Sequence, residues 1–363
     1  MEYRMLGNTN LKVSVVGIGS LGFSRAKATS KEIEKVVNRA LDLGVNIIDT
    51  AYGYRSGEME KAIGRVTKNR GKECVILTRS HLRTPKEFAE TINQSLQNLK
   101  VEAIDIYQMH DVTRAGEFEK LMNNGVFDEL KKAQKAGKVK FIGISTHATA
   151  EDMKKMITCG EFDVITVSYN LIRYQRQVTD GEDISITEKE ILPLAKEKGL
   201  GVTIMKPFGG GILAKNPLSG GTSISPVQAL KFVISNPYVD TTTPGIGNLR
   251  ELEEDIKAGD PNISLSEEDI VRLQEDAKKW GPDFCRNCGY CLPCSEDIPI
   301  PQIQRLLMNY KLGDEREKDR ARKSYDSLEV KASACIECKE CEERCPYQLP
   351  ISEKMKEAQE IFE

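Results

Sequence analysis

Several features are scarce in this chain of 363 residues, and each scarcity narrows what it does. No apolar run approaches the roughly 20 residues that a membrane helix needs. The opening stretch, MEYRMLGNTNLKVS, is too polar for a signal peptide or a membrane span, so a cytoplasmic location is expected. Neither sign of charge dominates: 52 basic against 55 acidic residues leave a net charge of −3. That balance gives no reason to expect a nucleic-acid or membrane partner. Cysteine is nearly missing from the first 284 residues, where Cys74 and Cys159 stand alone and read as small buried hydrophobes. The other eight crowd between Cys285 and Cys345. A reducing compartment disfavours a disulfide framework, so such crowding points to metal.

What is present is ordinary globular composition, with 39% apolar and 29% charged residues, in a length that suits one large domain and a small one. Over the first 255 residues short apolar runs alternate with helical patterns. The runs are 13–19, 45–51, 74–79, 103–110, 139–145, 164–170, 201–208 and 239–246. They are apolar almost throughout, as parallel strands buried on both faces require. Helical patterns at 31–44, 86–100, 128–137, 185–199 and 225–236 fall between them, and Thr29 with Glu32 forms a capping signal ahead of the first. Eight strand–helix units in about 250 residues predict a TIM (β/α)8 barrel, an α/β fold. The pattern at 264–280 reads as an amphipathic helix closing that barrel, and Gly281-Pro282 marks a boundary. The expected domains are a barrel over 1–280 and a small, mainly helical module over 281–363.

Residues 17–22, GIGSLG, spell a G-x-G-x-x-G after a strand, with Asp49 at the end of the next strand. A dinucleotide site built on this motif needs a helix opening at its last glycine. The capping residues lie seven to ten positions further on, so no helix is expected at Gly22 and the Rossmann reading is set aside.

The second cysteine group, CIECKECEERCP, runs Cys335, Cys338, Cys341, Cys345 and then Pro346. This is C-x2-C-x2-C-x3-C-P, the run of two-cluster bacterial ferredoxins. Cys285, Cys288, Cys291 and Cys294 form a second run with a shorter last spacing and Ser295 in place of proline. In such runs the fourth cysteine serves the other cluster. Cys285, Cys288, Cys291 and Cys345 are thus expected on one [4Fe–4S] cluster, and Cys335, Cys338, Cys341 and Cys294 on the other. Two structural zinc sites are the alternative, but these join separate CxxC pairs more often than continuous runs. The charged segment between the groups, around 311–330, reads as a solvated helix.

Barrel enzymes keep their chemistry at the C-terminal ends of the strands. There this chain carries Asp49 and Tyr54 in DTAYGY, Arg79 in ILTRS and His110 in YQMHD. A phenol beside a cation, with an acid to fix the cation and a histidine to orient an oxygen, is equipped to protonate a carbonyl. The cation is expected to lower the Tyr54 pKa from its usual value near 10. Taken singly, each residue also suits a cap, a rim aromatic or a structural histidine.

The opening YRMLGNTNLKVSVVGIG, with DTAYGY, YQMHD, GIST, VSYN, MKPFGGG and TTPGIGNLRELEED, resembles the aldo-keto reductase family over essentially the full length. The closer resemblance is to the subgroup that carries a C-terminal ferredoxin-like domain. That resemblance implies a TIM barrel binding NADPH or NADH without a Rossmann motif, and a catalytic tetrad of Asp, Tyr, Lys and His. Asp49, Tyr54 and His110 match; Arg79 stands in the Lys position, keeping the charge but unable to give up a proton. The resemblance also implies that Ser145 and Asn170 lie near the nicotinamide amide. Lys206, Pro207, Gly209, Gly245, Gly247 and Asn248 would face the pyrophosphate and adenosine, and Glu254 and Asp255 the adenine edge. In many relatives a Lys and an Arg grip the 2′-phosphate of NADP. Gly245 and Glu251 occupy those places here, beside Arg250, which implies relaxed or NADH-leaning use. Met205 replaces the aromatic that stacks on the nicotinamide in many relatives.

The resemblance implies an NAD(P)H-dependent oxidoreductase acting on a small-molecule carbonyl substrate. A nicotinamide moves electrons in pairs whereas a cluster passes one, so a second reading is an electron-transfer reductase with a ferredoxin or flavoprotein partner. A flavin would couple the two; no decisive flavin signature is present, and the Arg79 and Met205 departures leave room for one. A third reading, a degenerate barrel that binds a partner, sits poorly with the intact Asp49, Tyr54 and His110. The loop 171–187 carries Arg173, Tyr174 and Arg176, read as a solvated edge with an anionic or phenolic substrate as the alternative.

Overall fold

The computed structural model describes residues 1–171, 186–210, 213, 224–278, 284–285, 289–313, 315–345 and 347–363. The chain forms two compact units. The first comprises Met1–Asn170, Ile184–Pro207 and Pro226–Leu265; the second comprises Leu171–Asp183, Phe208–Ser225 and Ser266–Glu363. Among the described residues no helix is long and apolar enough to cross a membrane.

The first unit opens with an antiparallel hairpin, β1 (Tyr3–Met5) and β2 (Lys12–Ser14). Eight parallel strands follow: β3 (Ile18–Gly19), β4 (Ile47–Asp49), β5 (Val75–Ser80), β6 (Ile104–Met109), β7 (Val139–Ser145), β8 (Val164–Ser168), β9 (Gly201–Met205) and β10 (Thr241–Thr242). Each pairs with the next in chain order. The last strand returns to the first through bridges Val16–Thr242 and Gly19–Gly245, with Gly17 N–H donating to Thr242 O at 2.8 Å and Gly19 N–H to Pro244 O at 2.8 Å. The sheet therefore closes, and each of the eight expected strands is present. Helices lie between the strands. Helix Ser30–Asp42 has the expected capping box, with Thr29 accepting from Glu32 N–H and Glu32 reaching back to Thr29. The N-terminal end of the barrel is sealed by the hairpin, whose Leu6 and Val13 pack on Ile47, Val75, Leu77, Ile106 and Val164. That leaves the C-terminal end for function.

GIGSLG is explained by the closure. A Cβ on Gly22 would stand 2.4 Å from the backbone of Gly245 and Ile246, and one on Gly19 2.5 Å from Thr243 O. Bare backbone is needed where the first and last strands meet. The expectation that no helix opens here is corrected: a five-residue helix, Leu21–Arg25, follows Ser20. It is too short to show a 3.6-residue pattern, which is why the sequence conceals it. Cys74 is buried as expected, but Cys159 is exposed.

The second unit is built from short turns and helices around a shared core. Cys291, Cys341 and Cys345 are buried in it with Ile298, Ile300, Leu307, Tyr325, Leu349, Ile351 and Met355, while Cys285, Cys294 and Cys335 pack against it. The charged segment forms helix Glu315–Asp326, solvated except at Ala321 and Tyr325. Helix Glu267–Lys278, expected to end the barrel, falls within this unit.

An internal repeat organises the core. Cys294–Ile300 and Cys345–Ile351 each run cysteine, three residues, a buried aliphatic, proline and isoleucine. Asp297 and Gln348 both take a left-handed φ, +52° and +50°. Their N–H groups both donate 3.1 Å back to the cysteine carbonyl. Each proline is then the N-cap of a helix, Ile300–Leu312 or Ile351–Phe362, with nearly the same backbone, φ −77° and ψ 62° against φ −74° and ψ 74°.

Candidate active site and cluster site

Asp49 ends β4 and Arg79 lies in β5; both are buried and form an ion pair. Asp49 Oδ2 also accepts from Thr243 Oγ1 at 2.9 Å, and Arg79 Nε donates to Thr50 O at 3.3 Å. The guanidinium is thus committed to holding β4 and β5 together. Tyr54 follows in a turn where Arg55 and Ser56 take left-handed φ of +51°. Arg55 braces this turn by donating to Ala28 O and Phe23 O at 2.7 and 3.1 Å. A left-handed backbone at non-glycine residues costs energy and is tolerated where function requires a position; Asp111 and Lys206, also around the barrel mouth, share it.

The Tyr54 ring meets His110 edge-on, with centroids 6.1 Å apart and planes at 82°. Burial pushes the Tyr54 pKa up to about 12, partly opposed by Arg25, with Asp111 adding to the rise. This corrects the expected lowering by Arg79: burial outweighs any cation at Tyr54, and the cation that acts on it is Arg25. His110 is held neutral, its pKa pushed well below 6.5 by burial first and then by Arg79, His81, Arg83 and Lys206. Its Nδ1 and the Thr50 hydroxyl are buried without a hydrogen-bond partner among the described residues. Buried polar groups are normally satisfied, so these two fit a site shaped for a bound molecule.

Ser145 ends β7 and its Oγ accepts from Asp111 N–H at 3.1 Å. Asn170 Nδ2 donates to Lys206 O at 3.1 Å, which ties the segments after β8 and β9 together. Pro207 is buried beside Lys206. Gly209, in the second unit, is buried with φ +56°. The loop after β10 brings Gly245, Gly247 and Asn248 to the start of helix Leu249–Asp255. There Gly247 N–H donates 2.7 Å to Glu251 Oε2, and Asn248 Nδ2 donates 3.0 Å to Glu251 Oε1. Glu254 is half-buried. Asp255 is buried, and burial followed by the charges of Glu251 and Glu254 pushes its pKa up to about 8.

In the second unit, one cavity is lined by Cys294, Cys335, Cys338 and Cys341, with Lys339, Glu340 and Arg344 in its wall. These four cysteines are the set that the crossed rule assigns to one cluster. None of the described cysteines forms a disulfide. Four cysteine thiols at one cavity are a donor set that fits a [4Fe–4S] cluster. Of the other set, Cys345 and Cys291 are buried and Cys285 is half-buried in the same core. Cys288 lies outside the described residues, as do Arg173, Tyr174 and Arg176.

Residues 15–226 match the profile of the aldo/keto reductase family, more than half of the chain. The chain belongs to that family. Residues 284–350 match a 4Fe–4S dicluster domain, so this aldo-keto reductase carries a C-terminal iron–sulfur domain. Among curated proteins it is similar to the uncharacterized oxidoreductase YqkF of Bacillus subtilis, 25% identical over 77% of this chain and 97% of that one. It is also 25% identical to the NADH-specific methylglyoxal reductase of Escherichia coli, over 57% of this chain and 68% of that one. Among solved structures, aldo-keto reductase AKR11C1 from Bacillus halodurans superposes with a TM-score of 0.64 at 21% identity, covering 77% of this chain and 97% of that one. The fold is thus a TIM barrel followed by an iron–sulfur module, and the protein is an oxidoreductase.

Sequence reasoning missed one feature of this reductase's mouth. Lys206 Nζ lies 2.8 Å from His147 Nε2. His147 is buried and kept neutral, by burial first and then by Lys206, His110 and Arg79. The chain has only three histidines, His81, His110 and His147. Each follows the C-terminal end of one of three consecutive strands, a positional signal that pointed to His147.

Proposed function

We propose that this protein reduces a small carbonyl compound with NADH, Tyr54 delivering the proton and His110 orienting the carbonyl oxygen. Residues 1–280 would carry this chemistry and 281–363 two [4Fe–4S] clusters. The observation that carries the reading is the convergence of Tyr54, neutral His110 and the Asp49–Arg79 pair at the mouth of a closed barrel. A nicotinamide bound there would supply the hydride. The chain's own residues would do the rest. A phenol with a raised pKa holds its proton until a developing alkoxide takes it. Neutral His110 can donate from one ring nitrogen without a net charge. Arg79 holds Asp49 and the ends of β4 and β5 in register, acting as a brace and not as a proton carrier.

Ser145 and Asn170 are assigned to the nicotinamide amide, and Lys206, Pro207, Gly209, Gly245, Gly247, Asn248, Glu254 and Asp255 to the rest of the dinucleotide. Preference for NADH is supported by Glu251, whose carboxylate already accepts from Gly247 N–H and Asn248. A 2′-phosphate brought there would meet a like charge. Methylglyoxal, the substrate named for one relative, is a reasonable first probe. The test is NADH oxidation driven by methylglyoxal or another small aldehyde. Tyr54→Phe should lower kcat by about 10²–10⁴-fold with an unchanged fold; full activity in that variant would reject Tyr54 as the acid.

A second reading is favoured by the exposure of Cys338 and of Ile336, 63% exposed, beside the cluster ligands. In that reading the clusters exchange single electrons with a ferredoxin or flavoprotein. Reduction of the clusters by such a carrier, but not by NADH, would support it.

A further inference from the structure

Arg344 stands in the wall of the Cys294, Cys335, Cys338 and Cys341 cavity. Its Nη2 donates to two carbonyls of the other cysteine loop, Cys291 O at 3.0 Å and Pro293 O at 2.6 Å. Its Nη1 reaches Glu340 Oε2 at 3.5 Å, on a carboxylate side chain 60% exposed to solvent. Its Nε is buried with no hydrogen-bond partner among the described residues. A guanidinium held at its far end, with a buried donor left over, is a built arrangement and not a loose surface cation. The internal repeat shows that only one half has it: Arg344 precedes Cys345, and the equivalent residue before Cys294 is Pro293.

We propose that Arg344 sets the redox asymmetry of the domain, donating from Nε toward the inorganic sulfur of the cluster held by Cys294, Cys335, Cys338 and Cys341, and raising that cluster's reduction potential above its twin's. This rests on the dicluster reading above. One-electron reduction adds one negative charge to a cluster. A fixed cation and a hydrogen bond to sulfur stabilise the more negative form, and both raise the potential. Of the other charges in the cavity wall, Lys339 and Glu340 are exposed and screened by water, while Glu296 is half-buried like Arg344. What sets Arg344 apart is its buried Nε donor, present in one repeat only, which makes the two clusters unequal and gives an electron a preferred resting place.

The experiment is an anaerobic redox titration of the full chain with dithionite, followed by visible absorbance and electron paramagnetic resonance, alongside iron and sulfide content. Wild type should show two resolved one-electron waves. Arg344→Gln should keep full iron and lower the upper wave by at least a tenfold change in the reduction equilibrium, about 59 mV for one electron. Arg344→Lys, which keeps the charge but loses the Nε donor, should lower it by less. Unmoved waves in variants that retain their iron would overturn the proposal. Should Arg344→Gln lose iron, Arg344→Lys decides alone: a lowered upper wave supports the donor role, an unmoved one overturns it. Absence of iron and sulfide from anaerobic wild type would instead defeat the dicluster reading itself, a result separable from any effect at Arg344.

Discussion

Arg79 stands where the family resemblance implies a lysine, and its surroundings show what it touches. It is buried against Asp49 and bonded to Thr50 O. Removing one partner of such a pair strands a buried charge, so Arg79→Met should cost about 3–5 kcal/mol of stability in denaturant unfolding, and Arg79→Lys much less. The Tyr54 pKa, raised to about 12, gives a pH prediction. The phenol stays protonated below that value, so carbonyl reduction should show no basic limb from Tyr54 up to a pH of about 10. The reverse oxidation, which needs phenolate, should rise with pH. A limb centred near pH 7–8 that vanishes in Tyr54→Phe would contradict the raised pKa. Glu251→Gln removes the carboxylate from Gly247 N–H, and kcat/KM with NADPH should then rise about tenfold relative to NADH, on the scale of one charged hydrogen bond. The positions of Asp49, Tyr54, Arg79 and His110 at or just after strand ends were legible because strand ends are easy to find. Their energetics were not: whether a cation tunes the phenol or pairs with the acid depends on side-chain geometry that spacing does not encode.

The strands were legible as apolar runs because both of their faces are buried. One element was hidden by its brevity: helix Leu21–Arg25 has only five residues. Strands β3 and β10 lie within their expected runs but are only two residues each. Their pairing comes from barrel closure, a contact between the two ends of the unit that no local pattern reports. Gly22 is where that contact is closest. Gly22→Ala should cost about 1–3 kcal/mol through overpacking against Gly245 and Ile246, seen as a lower Tm. If Gly22→Ala were as stable as wild type, the glycine motif would need a different explanation. The repeated Cys-to-Ile segments make the same point for the second unit. Their letters share cysteine, an aliphatic, proline and isoleucine, and the structure adds that both take the same left-handed turn before a helix.

Taken whole, the molecule joins a barrel that stands on its own apolar core with a unit whose core is shared by its cysteines. Cys291, Cys341 and Cys345 are buried among that unit's aliphatic residues. A small core that includes its metal ligands folds with its metal, so stripping the iron should unfold the second unit. A first melting transition unaffected by iron removal, beside a second that disappears, is the expected calorimetric result. The most direct test of the whole account is the iron and acid-labile sulfide content of the anaerobically purified chain. Two four-iron clusters predict about eight irons and about eight sulfides per chain; about two zinc ions and no sulfide would contradict it.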